Sequence, residues 1–521
     1  MKCTSKNFLF VLTLAFILTY RMAAAETSGY PIVDTGQDRC FNTFAEMSCP
    51  GHGQAFYGQD AQYQGHAPAY QDNGDGTVTD LTTGLMWQKG LGTKKVSLDE
   101  ARELARTLTL GGYTDWRVPT IKELYSLIDF RGNTGLSRGM GFREAPANAV
   151  PYINTDYFDF AYGNVNEGER FIDAQWLSGT EYVSTTMRGM DTLFGVNFAD
   201  GRIKGYGYRK HGTARVVKTF YVRFVRGKAY GFNHFVDNGD GTVTDRATGL
   251  TWMQTDSGRS MNWQEALAYA ENLDFAGHKD WRLPNAKELQ SIVDYSRSPD
   301  TTGSPAIDPV FKTTSITNEA DQKDYPFFWT STTHQDGPQP GRMAAYIAFG
   351  RAIGAMRGRT MDVHGAGAQR SDPKTGTPGL GYGPQGDARR IDNFVRCVRG
   401  GKAFVSNSPA PSDQNHYPFK VKLAANLPGM PGPAARQRRN RWFQRPNEGR
   451  SFPRKEFGHR KWDEPDMRMN FVRRLDKDGD GRVSRSEFDG PPDRFDFHDT
   501  NHDGYITEEE APKHPPLRDA P

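Results

Sequence analysis

Cysteine is scarce in this chain: four residues among 521, with no C-x-x-C pair. That excludes a dithiol redox centre of the usual spacing. No H-E-x-x-H helix and no phosphate-binding glycine loop occurs, and the twelve histidines are scattered, so no catalytic residue stands out. A net charge of only +3 names no partner class, and no dedicated nucleic-acid partner is expected. Long apolar runs are absent after the first, Phe8 to Leu18, which is too short to span a bilayer comfortably. What the chain has instead is 56 glycines, 31 prolines and 12% aromatic residues. That describes a loop-rich protein with enough aromatic mass for real cores.

The first 25 residues read as a secretory signal peptide: Lys2 and Lys6, the apolar run, then small residues ending at Ala25. The expected location is secreted, periplasmic or cell-surface, with no transmembrane segment after cleavage. In an oxidising compartment Cys40 and Cys49 would form a structural disulfide, leaving Cys397 over.

Self-similarity organises the rest. "DNGDGTVTDLTTGLMWQ" from Asp72 matches "DNGDGTVTDRATGLTWMQ" from Asp237, and "YTDWRVPTIKELYSLIDF" matches "HKDWRLPNAKELQSIVDY". Trp87 and Trp252, Trp116 and Trp281, Glu123 and Glu288 all share an offset of 165, which means duplication. The divisions are a lead-in over 26–70, copies over 71–230 and 231–404, a basic linker over 405–462, a C-terminal segment over 463–513 and a tail over 514–521. Ser97 with Glu100, and Asn262 with Glu265, are capping boxes opening amphipathic helices. A second helix follows each "DWR-P" turn. Strands are expected later, with "EYVSTTM" near Glu181 set beside "FWTSTT" near Phe328. The fold class expected is α+β.

These motifs, with "VR-VRG" closing each copy, resemble a bacterial domain of unknown function that also forms the C-terminal part of the Legionella collagen-like adhesin. The resemblance spans about Thr35 to Lys402, twice over. It implies tandem C-type-lectin-like modules and surface recognition, sulfated glycosaminoglycans being the ligand associated with that adhesin. Formylglycine-generating enzymes share the implied fold but need cysteine or copper–thiolate chemistry, and these copies offer at most Cys397, so no enzyme is expected. The repeated tryptophans read as core, with a sugar-stacking face as the alternative. Arg117 with Glu123, and Arg282 with Glu288, read as structural ion pairs.

The linker carries "RQRRNRWFQRPNEGRSFPRKEFGHRK", and Arg436, Arg438, Arg439, Arg441, Arg445, Arg454 and Lys455 are candidate contacts to a sulfated or phosphorylated surface polymer. Two stretches beyond it fit twelve-residue calcium loops, which supply oxygens from positions 1, 3, 5, 7, 9 and 12 with glycine at 6. In "DKDGDGRVSRSE" these are Asp476, Asp478, Asp480, the Arg482 carbonyl, Ser484 and Glu487. In "DTNHDGYITEEE" they are Asp499, Asn501, Asp503, the Tyr505 carbonyl, Thr507 and Glu510. An all-α EF-hand pair binding Ca2+ is expected there. "DNGDGTVTD" offers no carboxylate at position 12 and reads as a hairpin turn, with a partial calcium site as the alternative. The function expected is calcium binding plus recognition of a surface polysaccharide or other polyanion. A structural part in a filament or envelope assembly is the first alternative, and an enzyme acting on a polysaccharide is the second.

Overall fold

A computed structural model describes residues 29–404, except 93, 136–144, 338 and 340, together with 472, 475–488, 495, 498–501 and 503–511. The signal sequence and the basic linker lie outside the described residues. The chain divides into two compact units, Met1–Arg439 and Asn440–Pro521.

Copy 1 opens with β1 (Tyr70–Asp72), β2 (Thr77–Asp80) and β3 (Met86–Gln88). The turn between β1 and β2 is built from the "DNGDG" letters. Asp72 Oδ1 accepts the Gly74 N–H at 3.0 Å, and Asp75 Oδ1 accepts the Thr77 N–H and hydroxyl at 3.0 and 2.6 Å. Gly74 and Gly76 take φ of +76° and +86°, which side chains resist. The stretch is therefore a hairpin, with its carboxylates spent on the turn.

Helices α1 (Leu98–Thr107) and α2 (Ile121–Ser126) follow, each opened by a reciprocal capping box. Then come β4 (Gln175–Thr186), β5 (Met190–Asn197) and β6 (Arg202–Lys210), and β7 (Val225–Arg226) closes the copy against β3. Copy 2 repeats the plan: β8 (Phe235–Asp237), β9 (Thr242–Asp245), β10 (Leu250–Met253), α3 (Trp263–Glu271) and α4 (Ala286–Ser291). Its later half runs β11 (Phe327–His334), β12 (Met343–Ala348), β13 (Ile353–Met356), β14 (Arg359–Asp362), β15 (Gln369–Pro373), β16 (Gly379–Tyr382), β17 (Asp387–Arg389) and β18 (Val398–Arg399).

The copies share one sheet. Its order is β11-β12-β15-β6-β5-β4, joined where Gln369 pairs with Ile203. Near that joint the copies exchange reciprocal bonds: Lys122 Nζ donates to the Ser291 carbonyl at 2.6 Å, and Lys287 Nζ to that of Ser126 at 2.9 Å. These residues are mates at the offset of 165, so the copies meet as the halves of a pseudo-two-fold dimer. One core accordingly takes in Trp87, Tyr125 and Trp176 with Trp252, Leu289 and Phe328.

Two expectations are corrected. Strand makes up 31% of the described residues, and the α-helices described from end to end are four, of ten, six, nine and six residues, so the fold is mainly β. It is not a tandem of α+β, C-type-lectin-like modules followed by an all-α EF-hand pair. The physical reason in the first unit is the shared sheet, which extends the strands that a separate module would leave short. In the second unit helical backbone is described only at Val472, Leu475, Phe495 and His498. There Val483–Ser484 pairs antiparallel with Tyr505–Ile506, because β-branched Val483 and Ile506 face each other at position eight of the two loops.

The strand alignment changes too. Thr180 and Thr332 hydroxyls accept the Ile121 and Ala286 N–H at 3.0 Å, so "WLSGT" at 176–180, not "EYVSTTM", matches "FWTST" at 328–332. The offset is 152 there and 173 at the close, where Arg226 matches Arg399. The residues copy 2 gains in between fold as a sheet of its own, β14-β13-β17-β16.

Candidate functional site

The repeated polar residues are structural. Arg117 grips Glu123 through both guanidinium nitrogens at 2.6 and 2.7 Å, and Arg282 grips Glu288 at the same distances. Arg226 pairs with Asp115 and Arg399 with Asp280. Arg223 and Arg396 are buried, their guanidiniums turned onto backbone carbonyls of the β3 and β10 ends. Trp87, Trp116, Trp252 and Trp281 are all buried, which removes them from any sugar-stacking face. Cys40 and Cys49 are joined, their Cα atoms 5.1 Å apart, and Cys397 is buried, which pushes its thiol pKa up.

The site that stands open is a cavity of about 540 Å³ at the joint between the copies. Strand alternation along β6 turns Arg202, Lys204 and Tyr206 to one face, and β15 adds Arg370 beside them. Gly205 lets the copies close up here. Its N–H meets the His364 carbonyl at 2.8 Å, and a Cβ would stand 2.3 Å from that oxygen. The extra sheet of copy 2 supplies the far wall through Tyr382, Asp387 and Arg389. The duplication thus yields one cleft, not two equivalent ones.

Cations outnumber carboxylates in it: Arg170, Arg202, Lys204, Lys218, Arg370 and Arg389 against Asp200, Asp336 and Asp387. Lys204 Nζ lies 2.9 Å and Arg202 Nη1 3.2 Å from Asp200, and Arg202 also pairs with Asp336. Arg370 pairs with Asp387, which also meets His364 Nε2 at 2.9 Å. Burial lowers Lys204 to about 8 against the pull of Asp200, and burial with Arg370 nearby lowers His364 to about 4. His364 is therefore neutral at pH 7. Several buried polar atoms of the cleft have no partner: Arg202 Nε, Arg370 Nη1, Tyr206 OH, His364 Nδ1 and Asp200 Oδ1. Three of these, Arg202 Nε, Arg370 Nη1 and Tyr206 OH, can donate, and buried groups of this kind are normally satisfied. Aromatic faces stand beside the charges, with Arg389 3.8 Å over Tyr382 and Lys218 4.6 Å over Tyr206. The arrangement suits a ligand bearing anionic groups on a sugar-like frame. It offers no paired nucleophile and base.

Sequence reasoning missed this cleft. Its one legible signal was the alternation of Arg202, Lys204 and Tyr206 in "GRIKGYGYRK". Its far wall, Tyr382, Asp387 and Arg389, comes from the extra sheet that copy 2 alone possesses.

The residues expected at the calcium loops lie in the second unit. Ligand atoms of Asp476, Asp478 and Glu487 fall within 4.8 Å of one another, the only such acidic cluster among the described residues. Glu487 closes its loop by accepting the Lys477 and Ser484 N–H groups at 2.8 Å, and Glu510 does so through Thr500 and Thr507 at 3.0 and 3.1 Å. These bonds, led by Ser484 and Thr507 respectively, hold both carboxyls down at about 2. Asp480, Arg482 and Ser484, and Asp499, Asn501, Asp503, Tyr505 and Thr507, lie along the same two loops. The basic candidates Arg436, Arg438, Arg439, Arg441, Arg445, Arg454 and Lys455 lie outside the described residues.

Among known families, the one described as the Lcl C-terminal domain matches residues 76–226 and again 241–364, together more than half of the chain. No curated protein and no solved structure matches it. That family is adhesin-like and is not a family of enzymes. Both matched stretches begin at the last glycine of the hairpin turn and carry the paired helices and the gripped Arg–Glu pair described above. The chain belongs to the Lcl C-terminal domain family, which it contains twice in tandem.

Proposed function

We propose that this chain is an exported, non-enzymatic recognition protein that holds an anionic stretch of surface polysaccharide in the cleft between its copies. One observation carries the reading: six cations line the cleft against three carboxylates, and Arg202 Nε and Arg370 Nη1 are without a partner. Sulfate, phosphate or carboxylate groups would offset the excess charge through charge-assisted hydrogen bonds. Tyrosine faces would carry the sugar rings.

Calcium belongs to the same reading, in the C-terminal loops. The carboxylates of Asp476, Asp478 and Glu487 already converge, and their oxygens suit a hard cation. Calcium bound there would neutralise that cluster and tie the two paired loops together. The basic linker is a further contact for a sulfated or phosphorylated polymer.

A glycan array followed by titration calorimetry on the full chain tests the cleft. Anionic glycans should bind and neutral ones should not, and Lys218→Glu and Arg389→Glu should each weaken binding about tenfold, as loss of a charge-assisted contact does. An array on which no anionic glycan binds, or variants that bind as tightly as the parent, would sink the proposal. Calorimetry with CaCl2 tests the loops: the parent should bind at or below about 1 mM, and Glu487→Gln with Glu510→Gln should abolish it. Calcium binding that survives the double variant means the loops are not the site.

A further inference from the structure

The pseudo-two-fold at the joint gives two equivalent faces, and the lead-in fills only one. On that face the Thr35 carbonyl accepts the Phe130 N–H at 2.8 Å, and the Asp34 carbonyl accepts Lys287 Nζ at 2.9 Å. Asp60 accepts the Thr332 hydroxyl at 2.7 Å. The carboxylate on this wall, Asp129, is met by an arginine, since Arg131 Nε donates to it at 2.9 Å and Nη2 closes the pair. The lead-in also lays the Tyr63 ring 5.5 Å from the Arg282 guanidinium, and the Arg282 side chain is only 5% exposed.

The other face is an open groove of about 310 Å³, in which Lys122, Asp294 and Tyr295 stand where Lys287, Asp129 and Phe130 stand on the filled one. Thr180 takes the place of Thr332, its hydroxyl oxygen accepting a helix N–H in the same way. Two donors are left over. The Tyr295 N–H, mate of the one that Thr35 satisfies, has no acceptor among the described residues, and neither has the Thr180 hydroxyl proton. The mate of Arg131 is Ser296, whose N–H and hydroxyl reach Asp294 Oδ1 at 2.9 and 2.6 Å and bring no charge. Asp308 adds a second carboxylate, with Oδ1 spent on the Val310 N–H at 2.8 Å. Neither carboxylate has an ion-pair partner among the described residues. Lys122 does not serve them, because its protons go to Gly231, Asn233 and Ser291. Phe232 in the same lining is 70% exposed.

We propose that this groove docks an extended, arginine-bearing segment of a partner protein, with its guanidinium at Asp294 and Asp308 and a backbone carbonyl on the Tyr295 N–H. The argument is charge complementarity with an internal precedent: on the filled face an arginine meets the mated carboxylate and a peptide carbonyl meets the mated N–H. A guanidinium suits the lining twice over, since it pairs with carboxylates and stacks on an aromatic face such as Phe232. The proposal is independent of the cleft between the copies, which has a lining of its own.

The probes are immobilised pools of capped nonapeptides, random except for a central arginine, lysine or alanine, incubated with the full-length protein. The arginine pool should retain the most protein, and Asp294→Asn and Asp308→Asn should each weaken that retention at least about tenfold. Asparagine keeps the Oδ1 acceptor of each turn, so the fold is left intact; Phe232→Ala, at an exposed position, should also weaken retention. Peptides sequenced from the retaining beads should slow hydrogen exchange at the Tyr295 amide when added to the protein. An arginine pool that retains no more than the alanine pool overturns the proposal, and so does retention that both asparagine variants leave unchanged. Sedimentation showing that the protein alone dimerises, and that Asp294→Asn undoes it, would assign the face to a second copy and overturn the partner assignment.

Discussion

At the scale of single residues the duplication supplies matched experiments. Arg282–Glu288 and Arg117–Glu123 have the same geometry, but only the first is sealed from water. Removing one member of a sealed pair leaves an uncompensated buried charge and costs about 3–5 kcal/mol. Arg282→Ala should therefore destabilise by that amount in urea unfolding. Arg117→Ala should cost about half as much, because water reaches the half-open side and solvates Glu123. Equal losses would show that the lead-in does not change the environment of the pair. Asp362 supplies a pH probe. Burial pushes its carboxyl up to about 7, although Gly365, Tyr182 and His364 donate to it. A carboxyl raised on folding binds its proton more tightly in the folded state. Its contribution to stability is full below the unfolded value near 4 and is lost as pH rises to about 7. Asp362→Asn should flatten the fall in stability between about pH 4 and 7. A slope unchanged by the substitution would place the titration elsewhere.

At the scale of elements, the local signals were legible and the long-range ones were not. Ser97 with Glu100 and Asn262 with Glu265 mark the helix starts, since a capping box is written within four residues. Ser97→Ala should cost about 1 kcal/mol, the usual worth of an N-cap, measured by the shift of the urea midpoint. No shift would mean that packing of Leu98 and Ala101 alone fixes the helix. The "DNGDG" hairpin was legible for the same reason, because its carboxylates serve amides two residues away. The strands were not. Matching by letters set "EYVSTTM" against "FWTSTT", whereas the bonds from Thr180 and Thr332 set "WLSGT" there. Strand register depends on partners far along the chain, which neither stretch records. The cleft fared likewise: Arg202 and Lys204 belong to one copy, Arg370 and Asp387 to the other, and nothing within "GRIKGYGYRK" announces them.

At the scale of the whole molecule, the duplication reads as two modules, yet its physics is that of one. The sheet crosses the joint, the core is common, and Lys122 and Lys287 each satisfy a carbonyl of the opposite copy. A buried lysine at such a joint is costly unless its three protons find acceptors. Lys122 has them in Gly231, Asn233 and Ser291, and Lys287 has the carbonyls of Asp34 and Ser126. Each copy alone would expose this lysine, the edge of β6 or β15, and one face of the shared core. Elements that bury one another's surface unfold together. The span from 29 to 404 should therefore unfold in one transition, followed by tryptophan fluorescence and by circular dichroism with coincident midpoints. A fragment of residues 71–230 should show no cooperative transition or should self-associate through β6. Two resolved transitions in the long span, or a stable monomeric fragment, would mean that the copies are modules after all. The cleft would then belong to a hinge.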